Sequence, residues 1–291
     1  MTPAIVEIEV TGLMRSFGST LAVDNVSFQV YRGELFAFLG PNGAGKTTTI
    51  NLLTGLLHPD RGEIRYRGER FNPDLLAVKQ LIGVVPQHNN LDKELSVAEN
   101  LRIHGILFGL RGRQLEERIR FCLEFADLLE KSATAAGKLS GGMKRKLVIA
   151  RALLHQPKIL FLDEPTVGLD PHSRRRMWAF LRRINVEQQC TVFLTTHYIE
   201  EAESLAQRVM IMDNAKIIAA GSPDELKSCG GDYVLDIYRG TDLDSEFFAD
   251  RDAALRRLKQ LDTVVRIRET TLEDVFLQLT GKRIAGGKGD V

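Results

Sequence analysis

The sequence predicts an α/β fold in which strands alternate with helices, interrupted by a helical insertion and followed by a small α+β appendage. Three observations predict it. A glycine-rich loop at residues 40–45 follows an apolar strand and opens a helix. Strand-sized apolar runs return at Ile159–Leu162 and Thr191–Thr195, with the helix-like segment Ser173–Asn185 between them. From about Leu95 to Leu154, apolar residues recur at helical spacing.

The first third reads as mixed sheet. Strands are expected at Ile5–Val10, Val26–Val30, Glu34–Leu39, Glu63–Tyr66 and Leu81–Val85, where β-branched and aromatic residues cluster. A helix-like segment, Thr49–Leu56, follows the glycine loop. Ile103, Ile106, Leu107 and Leu110, then Ile119, Leu123, Phe125 and Leu128, fall on helix faces and mark a helical subdomain over about residues 88–155. Two further strands are expected at Arg208–Asp213 and Lys216–Ala219. Gly221-Ser222-Pro223 and the Gly230-Gly231 pair punctuate the chain, so the expected domains are 1–225 and 226–291. The second of these reads strand (Tyr233–Tyr238), helix (Ala253–Leu261), strand (Val264–Arg268), helix (Leu272–Thr280). The glycine- and charge-rich end, Gly281–Val291, is expected to fray.

Composition narrows the function classes. With 291 residues, 44% of them hydrophobic, the chain can bury a sizeable core. Its 39 basic and 38 acidic residues leave a net charge of +1, so no strong field suggests a nucleic-acid partner. The opening MTPAIVEIEV has no cationic region ahead of an apolar one, which argues against a secretory signal. The apolar runs are far too short to span a bilayer, so work at a membrane would need another polypeptide. Cys122, Cys190 and Cys229 form no C-x-x-C pair and are expected to be reduced thiols in packing roles.

The chemistry concentrates in two segments. Gly40-Pro41-Asn42-Gly43-Ala44-Gly45-Lys46-Thr47-Thr48 fits the phosphate-loop pattern G-x-x-x-x-G-K-T/S in the strand-then-helix setting that the pattern requires. Glycines let backbone N–H groups turn inward on phosphate oxygens, and the helix N-terminus adds partial positive charge there. Lys46 should bridge the β- and γ-phosphates, and the Thr47 hydroxyl should ligate Mg²⁺. The second segment, Lys158 to Pro165, is a buried strand ending in the adjacent carboxylates Asp163 and Glu164. Asp163 is placed to hold Mg²⁺ through water. Glu164, pointing the other way along the pleat, can act as general base on the attacking water.

Leu139-Ser140-Gly141-Gly142-Met143, followed by a helix and then by Asp163-Glu164, resembles the signature motif of ABC ATPases. The resemblance covers about residues 5–225. It implies the ABC-ATPase variant of the P-loop NTPase fold: a mixed β subdomain, a RecA-like core and a helical subdomain, here with the small α+β C-terminal appendage. It implies ATP and Mg²⁺ as ligands. It also implies a head-to-tail dimer, homodimer or heterodimer with a related ATPase, in which Ser140, Gly141 and Gly142 complete the ATP site of the opposite subunit. Position by position, Gln87 resembles the Q-loop glutamine that touches Mg²⁺ and the attacking water. Asp170 resembles the D-loop aspartate that communicates across the dimer, and His197 resembles the switch histidine on the γ-phosphate. Phe17 stands where the family stacks an aromatic ring, usually tyrosine, on adenine. The catalytic set so implied is Lys46, Gln87, Glu164 and His197, and the metal set is Thr47, Gln87 and Asp163.

The chain carries one phosphate loop and one signature, and no long coiled coil fits between Gln87 and Ser140. It therefore looks like a separately encoded ATPase subunit, acting at the cytoplasmic face of a membrane on a separate multi-span permease. The segment from Thr271 to Gly281 resembles the ending of daunorubicin/doxorubicin-resistance-type exporters and of A-subfamily lipid transporters, which implies export of drugs, lipids or other amphipathic molecules. Leu272, Val275, Phe276 and Leu279 should also form the apolar face of a terminal helix that closes the appendage. The alternative is a nucleotide-driven signalling or assembly module. A pure sensor has no need of Glu164, and the intact set argues against that reading.

Overall fold

The computed structural model describes residues 5–72, 76–239, 242–261 and 263–281. Two long strands, β1 (Val6–Phe17) and β2 (Thr20–Tyr31), open the chain as an antiparallel hairpin. There follow β3 (Leu35–Leu39), α1 (Lys46–Leu53), β4 (Arg61–Tyr66), the two-residue β5 (Glu69–Arg70), α2 (Leu76–Leu81) and β6 (Ile82–Val85). The helical insertion holds α3 (Val97–Leu107), α4 (Gly112–Phe125) and α5 (Gly141–Ala152). The chain then alternates β7 (Ile159–Asp163), α6 (Pro171–Glu187), β8 (Thr191–Thr196), α7 (Ile199–Leu205), β9 (Arg208–Asp213) and β10 (Lys216–Gly221). Last come α8 (Pro223–Ser228), β11 (Tyr233–Arg239), β12 (Asp242–Phe248), α9 (Arg251–Leu258), β13 (Val264–Glu269) and α10 (Leu272–Thr280).

These strands make three sheets: a mixed six-stranded sheet in the order β10-β9-β3-β8-β7-β6, a four-stranded antiparallel sheet β2-β1-β4-β5, and a three-stranded antiparallel sheet β12-β11-β13. In the large sheet β9, β3, β8, β7 and β6 run parallel, and β10 is the antiparallel edge. Strand alternation explains the layering. Leu35, Ala37 and Leu39 of β3 face a core shared with the helices, together with Val192, Leu194, Leu160 and Leu162. Phe36 and Phe38 face the opposite way, with Phe161 and Phe193, into a core closed by Ile8, Val10 and Phe28 of the hairpin. Both faces of the sheet are thus covered, which is why its strands read as unbroken apolar runs.

Several expected boundaries move. β1 continues past Val10 because Gly12, at φ 59°, lets the strand bend through a register shift between Val10 and Leu13 and carry on to Phe17. α1 starts at Lys46 rather than Thr49 and ends at Leu53, since Gly45 at φ 106° turns the loop directly into the helix. The sequence reading missed α2, α7 and α8, all short, and missed β12, whose acidic start Asp242-Leu243-Asp244 has little strand propensity. The fraying expected for Gly281–Val291 lies, past the helix-capping Gly281, outside the described residues. In α10, Leu272, Val275 and Phe276 are buried, but Leu279 is 45% exposed and does not join that face. Leu272 and Phe276 also reach beyond the appendage and pack into the core beneath the large sheet. Cys122 and Cys190 are buried as expected, whereas Cys229, at the end of α8, is exposed.

Candidate nucleotide site

Four adjacent parallel strands end at one edge of the large sheet, one passing into the glycine loop and three delivering a polar residue there. β3 passes at Leu39 into Gly40, β6 passes at Val85 toward Gln87, β7 ends on Asp163 and β8 passes at Thr196 into His197. Pairing of Leu39 with Thr196, Asp163 with Thr195 and Val85 with Leu162 keeps these ends level. The carboxyl edge of a parallel sheet is where such folds bind ligands.

The glycine loop fits only because it lacks side chains at its tightest points. A Cβ on Gly40 would lie 2.3 Å from the Met212 carbonyl oxygen, and one on Gly45 would lie 2.2 Å from that of Ala22. The loop, α1 and the opposing residues enclose a cavity of about 450 Å³. Asn42, Gly43, Gly45, Lys46, Thr47 and Thr48 line one side. Gln87, Glu164, Val167 and His197 line the other, and the hairpin residues Thr20, Leu21 and Ala22 form a rim that sequence reasoning did not anticipate.

Lys46 is 5% exposed and donates from Nζ to the carbonyl oxygens of Gly40 (2.9 Å) and Pro41 (3.0 Å), 3.6 Å from Oε1 of Glu164. Burial lowers its pKa, against the raising effect of Glu164 and Asp163. Thr47 Oγ1 donates to Asp163 Oδ1 at 3.2 Å, and the same oxygen accepts from Thr195 Oγ1 at 2.5 Å. Thr195 is a partner that only the fold reveals.

Glu164 is the point of convergence. Its Oε2 accepts from Gln87 Nε2 at 3.1 Å, and its Oε1 lies 3.2 Å from His197 Nδ1, set off the hydrogen-bond axis. It does not reach this place by pleat alternation as the sequence suggested. β7 stops at Asp163, and Glu164 takes a left-handed φ of 46° that swings its side chain into the cavity. Its N–H, shared between the carbonyl and hydroxyl oxygens of Thr195 at 3.1 Å each, pins that turn. Burial resists ionisation of the carboxyl, but contact with His197 and then with Lys46 outweighs it and holds the pKa below the ordinary glutamate value.

The remaining candidates stand apart from this cavity. Ser140 caps α5, accepting from the Met143 N–H at 3.3 Å, and neither it nor Gly141 nor Gly142 lines the cavity. A Cβ on Gly142 would come 3.7 Å from Ser173, whose N–H is capped by Asp170 at 3.0 Å, so the signature lies beside the Asp170 turn. That capping holds the Asp170 carboxyl below its ordinary pKa. Phe17, at the end of β1, is 46% exposed, with the Arg15 guanidinium 5.0 Å above its ring. It too lies outside the cavity lining. One residue missed entirely is Arg145. It is a buried cation on α5, and its signal was a basic residue on the same helix face as Val148, Ile149 and Ala152.

Comparison with known proteins agrees with this geometry. The sequence profile of the family described as ABC transporter matches residues 23–167. Over 300 residues the chain is 40% identical to the Nod factor export ATP-binding protein I of Rhizobium sp. (strain N33), covering 96% of this chain and 98% of that one. The protein of the same name from Bradyrhizobium diazoefficiens is 40% identical over 299 residues, covering 95% and 97%. Among solved structures, cbiO1 from Clostridium perfringens, part of an ABC transporter complex, superimposes with a TM-score of 0.71 at 27% identity, covering 76% of this chain and 90% of that one. An ATP-binding subunit of an ABC transporter superimposes with a TM-score of 0.67 at 32% identity, covering 76% and 92%. The chain therefore belongs to the ABC transporter family, as one of its ATP-binding, ATP-hydrolysing subunits.

Proposed function

We propose that this subunit hydrolyses Mg-ATP with Glu164 as general base, as a head-to-tail dimer that drives an exporter through a separate multi-span permease. The observation that carries the proposal is the convergence of Gln87, His197 and Lys46 on one ionised carboxylate in the cavity lining. Glu164 accepts the proton of the attacking water, Gln87 orients that water, and His197 meets the γ-phosphate. Lys46, now held by its own loop, transfers to the phosphates when they arrive. The bond from γ-phosphorus to the bridging oxygen breaks as the new P–O bond forms in line, and ADP leaves.

Thr47, Asp163 and Gln87 would hold Mg²⁺. Hydroxyl and carboxylate oxygens meet at 3.2 Å there, and such hard donors, completed by substrate phosphates, suit that ion. When bound it neutralises charge developing on the phosphate oxygens. Phe17 offers its free face to adenine. Ser140, Gly141 and Gly142, which do not line this chain's own cavity, would close the partner's site, with Asp170 beside them. No helix among the described residues is long and apolar enough to cross a membrane, so attachment there would run through the permease. Relatives named as export ATP-binding proteins support the exporter reading, and amphipathic molecules such as drugs or lipids are the cargo class we favour. Residues 1–225 serve as the motor and 226–291 as its appendage.

The test is Glu164→Gln. Turnover should fall by roughly 10²–10⁴ while a fluorescent ATP analogue still binds; near-normal turnover would remove Glu164 from its role. The trapped variant, isolated gently from membranes of its native cell, should carry a polytopic membrane protein with it. Recovery without one would leave the ATPase standing and overturn transport.

A further inference from the structure

Arg145 lies on α5 downstream of Ser140, and it is 4% exposed. Its guanidinium makes four hydrogen bonds, all to main-chain carbonyls. Nε donates to Pro165 (2.9 Å), one terminal nitrogen to Pro86 (2.6 Å) and Gln87 (3.2 Å), and the other to Asp163 (2.9 Å). Packing alone would be served by an apolar residue, as at its buried neighbours Leu147, Val148 and Ile149. The carbonyls it grips belong to the two segments that carry the reaction's chemistry. Two of them, on Asp163 and Pro165, flank Glu164, whose left-handed backbone is uncommon for a residue with a side chain and has to be held from both sides. The third and fourth fix the backbone of Gln87, whose side chain bonds Glu164. Burial lowers the guanidinium pKa to about 10, so it stays cationic at neutral pH.

We propose that Arg145 is a positioning residue for hydrolysis, clamping Gln87 and Glu164 to the helix that begins with the signature. Movement of that helix is thereby passed to the geometry of the general base in the same chain. The proposal rests on the reading of Glu164 as base. A planar guanidinium reaches carbonyls on both segments at once, and a lysine ammonium cannot.

The experiment compares Arg145→Gln and Arg145→Lys with the parent chain in kcat, KM, affinity for a fluorescent ATP analogue and Tm. Both variants should lose about tenfold or more in kcat, the scale of a small misplacement of catalytic groups, with analogue affinity nearly unchanged. In a Gln87→Ala background the loss caused by Arg145→Gln should shrink, because part of its route has gone. Unchanged kcat, or binding and turnover falling in parallel in both variants, overturns the proposal. Glu164→Gln assayed alongside separates the two failures. If it keeps turnover, the reading beneath the proposal falls as well. If it is inactive while the Arg145 variants are normal, the clamp alone is refuted.

Discussion

The six-stranded sheet and the three-stranded sheet of the appendage are both covered by helices, yet they are held together by different means. In the large sheet every residue of β3, β7 and β8 is buried, and aromatic rings pack across strands, with Phe193 5.2 Å from Phe36, 5.3 Å from Phe38 and 5.4 Å from Phe161. Polar groups appear only where the strands end. The small sheet instead carries Asp236 buried in the middle of its central strand, paired with Arg268 at 2.7 Å. Arg268 also grips Asp274 at the start of α10, where Thr271 and Asp274 form a capping box. The difference teaches how a fold can place charge for chemistry. Apolar strands covered on both faces deliver ionisable residues to one edge, whereas the small sheet, beside its buried Val234, Leu235 and Ile237, carries an ion network across its central strand.

Breaking each device tests the contrast. Phe193→Ala, which removes a fully buried ring shared by four other phenylalanines, should cost about 3–5 kcal/mol, read by urea unfolding. A cost under about 1 kcal/mol would mean the aromatic cluster is not the main support of this sheet. The next effect down is Arg268→Ala, which leaves Asp236 and Asp274 without their cation. Breaking a fully buried pair costs about 3–5 kcal/mol; this guanidinium is 27% exposed at the side chain, so about 2 kcal/mol is expected. The single tryptophan, Trp178, sits partly buried on α6 against the main core and donates to Glu201 at 3.1 Å, so its fluorescence follows that core. In Arg268→Ala, far-UV circular dichroism should begin to change before Trp178 fluorescence does. Coincident transitions would show that Leu272 and Phe276 of α10 tie the appendage into one cooperative unit with the large sheet.

The same contrast explains what was legible beforehand. A phosphate loop needs its residues contiguous, so Gly40 to Thr48 declares itself, and so do the apolar strands that feed it. Asp163 and Glu164 could be placed from the apolar strand that ends on them, and Gln87 and His197 only because the family order supplied their roles; spacing alone could not bring the four together. Pleat logic sent Glu164 in the right direction for the wrong reason, because a left-handed residue, and not alternation, turns it inward. Arg145 was hidden inside Lys144-Arg145-Lys146, which reads as a solvated charge run. Its worth comes from carbonyls about 20 and 60 residues away, on the segments Asp163–Pro165 and Pro86–Gln87. In the appendage β12 escaped because ion pairing stands in for the apolar alternation that announces a strand.

A smaller effect sharpens the comparison by pH. In the helical insertion His104 packs on Phe108 at 4.8 Å, and Phe108 stacks on His155 at 3.9 Å, whose Nε2 meets the Ile82 carbonyl oxygen. Burial, then the charges of Arg151 and His155, lower the pKa of His104 to about 4. Burial lowers that of His155 as well. The unfolded chain binds these protons near pH 6.5 and the folded chain resists them, so their contribution is intact above about pH 6.5 and is lost as pH falls toward 4. Asp274 behaves differently. Burial raises its pKa, but the Arg268 bond and Thr271 outweigh that and hold it below the ordinary 3.8, so its contribution survives to lower pH and is lost only beneath that value. Acidifying from pH 7 to pH 5 should therefore weaken the helical insertion and spare the ion network. His104→Gln should reduce the loss of unfolding free energy over that interval by about 1–2 kcal/mol, measured by urea titration at both pH values. An undiminished loss would place the acid-sensitive group elsewhere. The Arg268→Ala variant supplies the converse, since its deficit relative to the parent chain should be largest at pH 7 and should narrow as acid protonates the Asp274 carboxyl left without its cation.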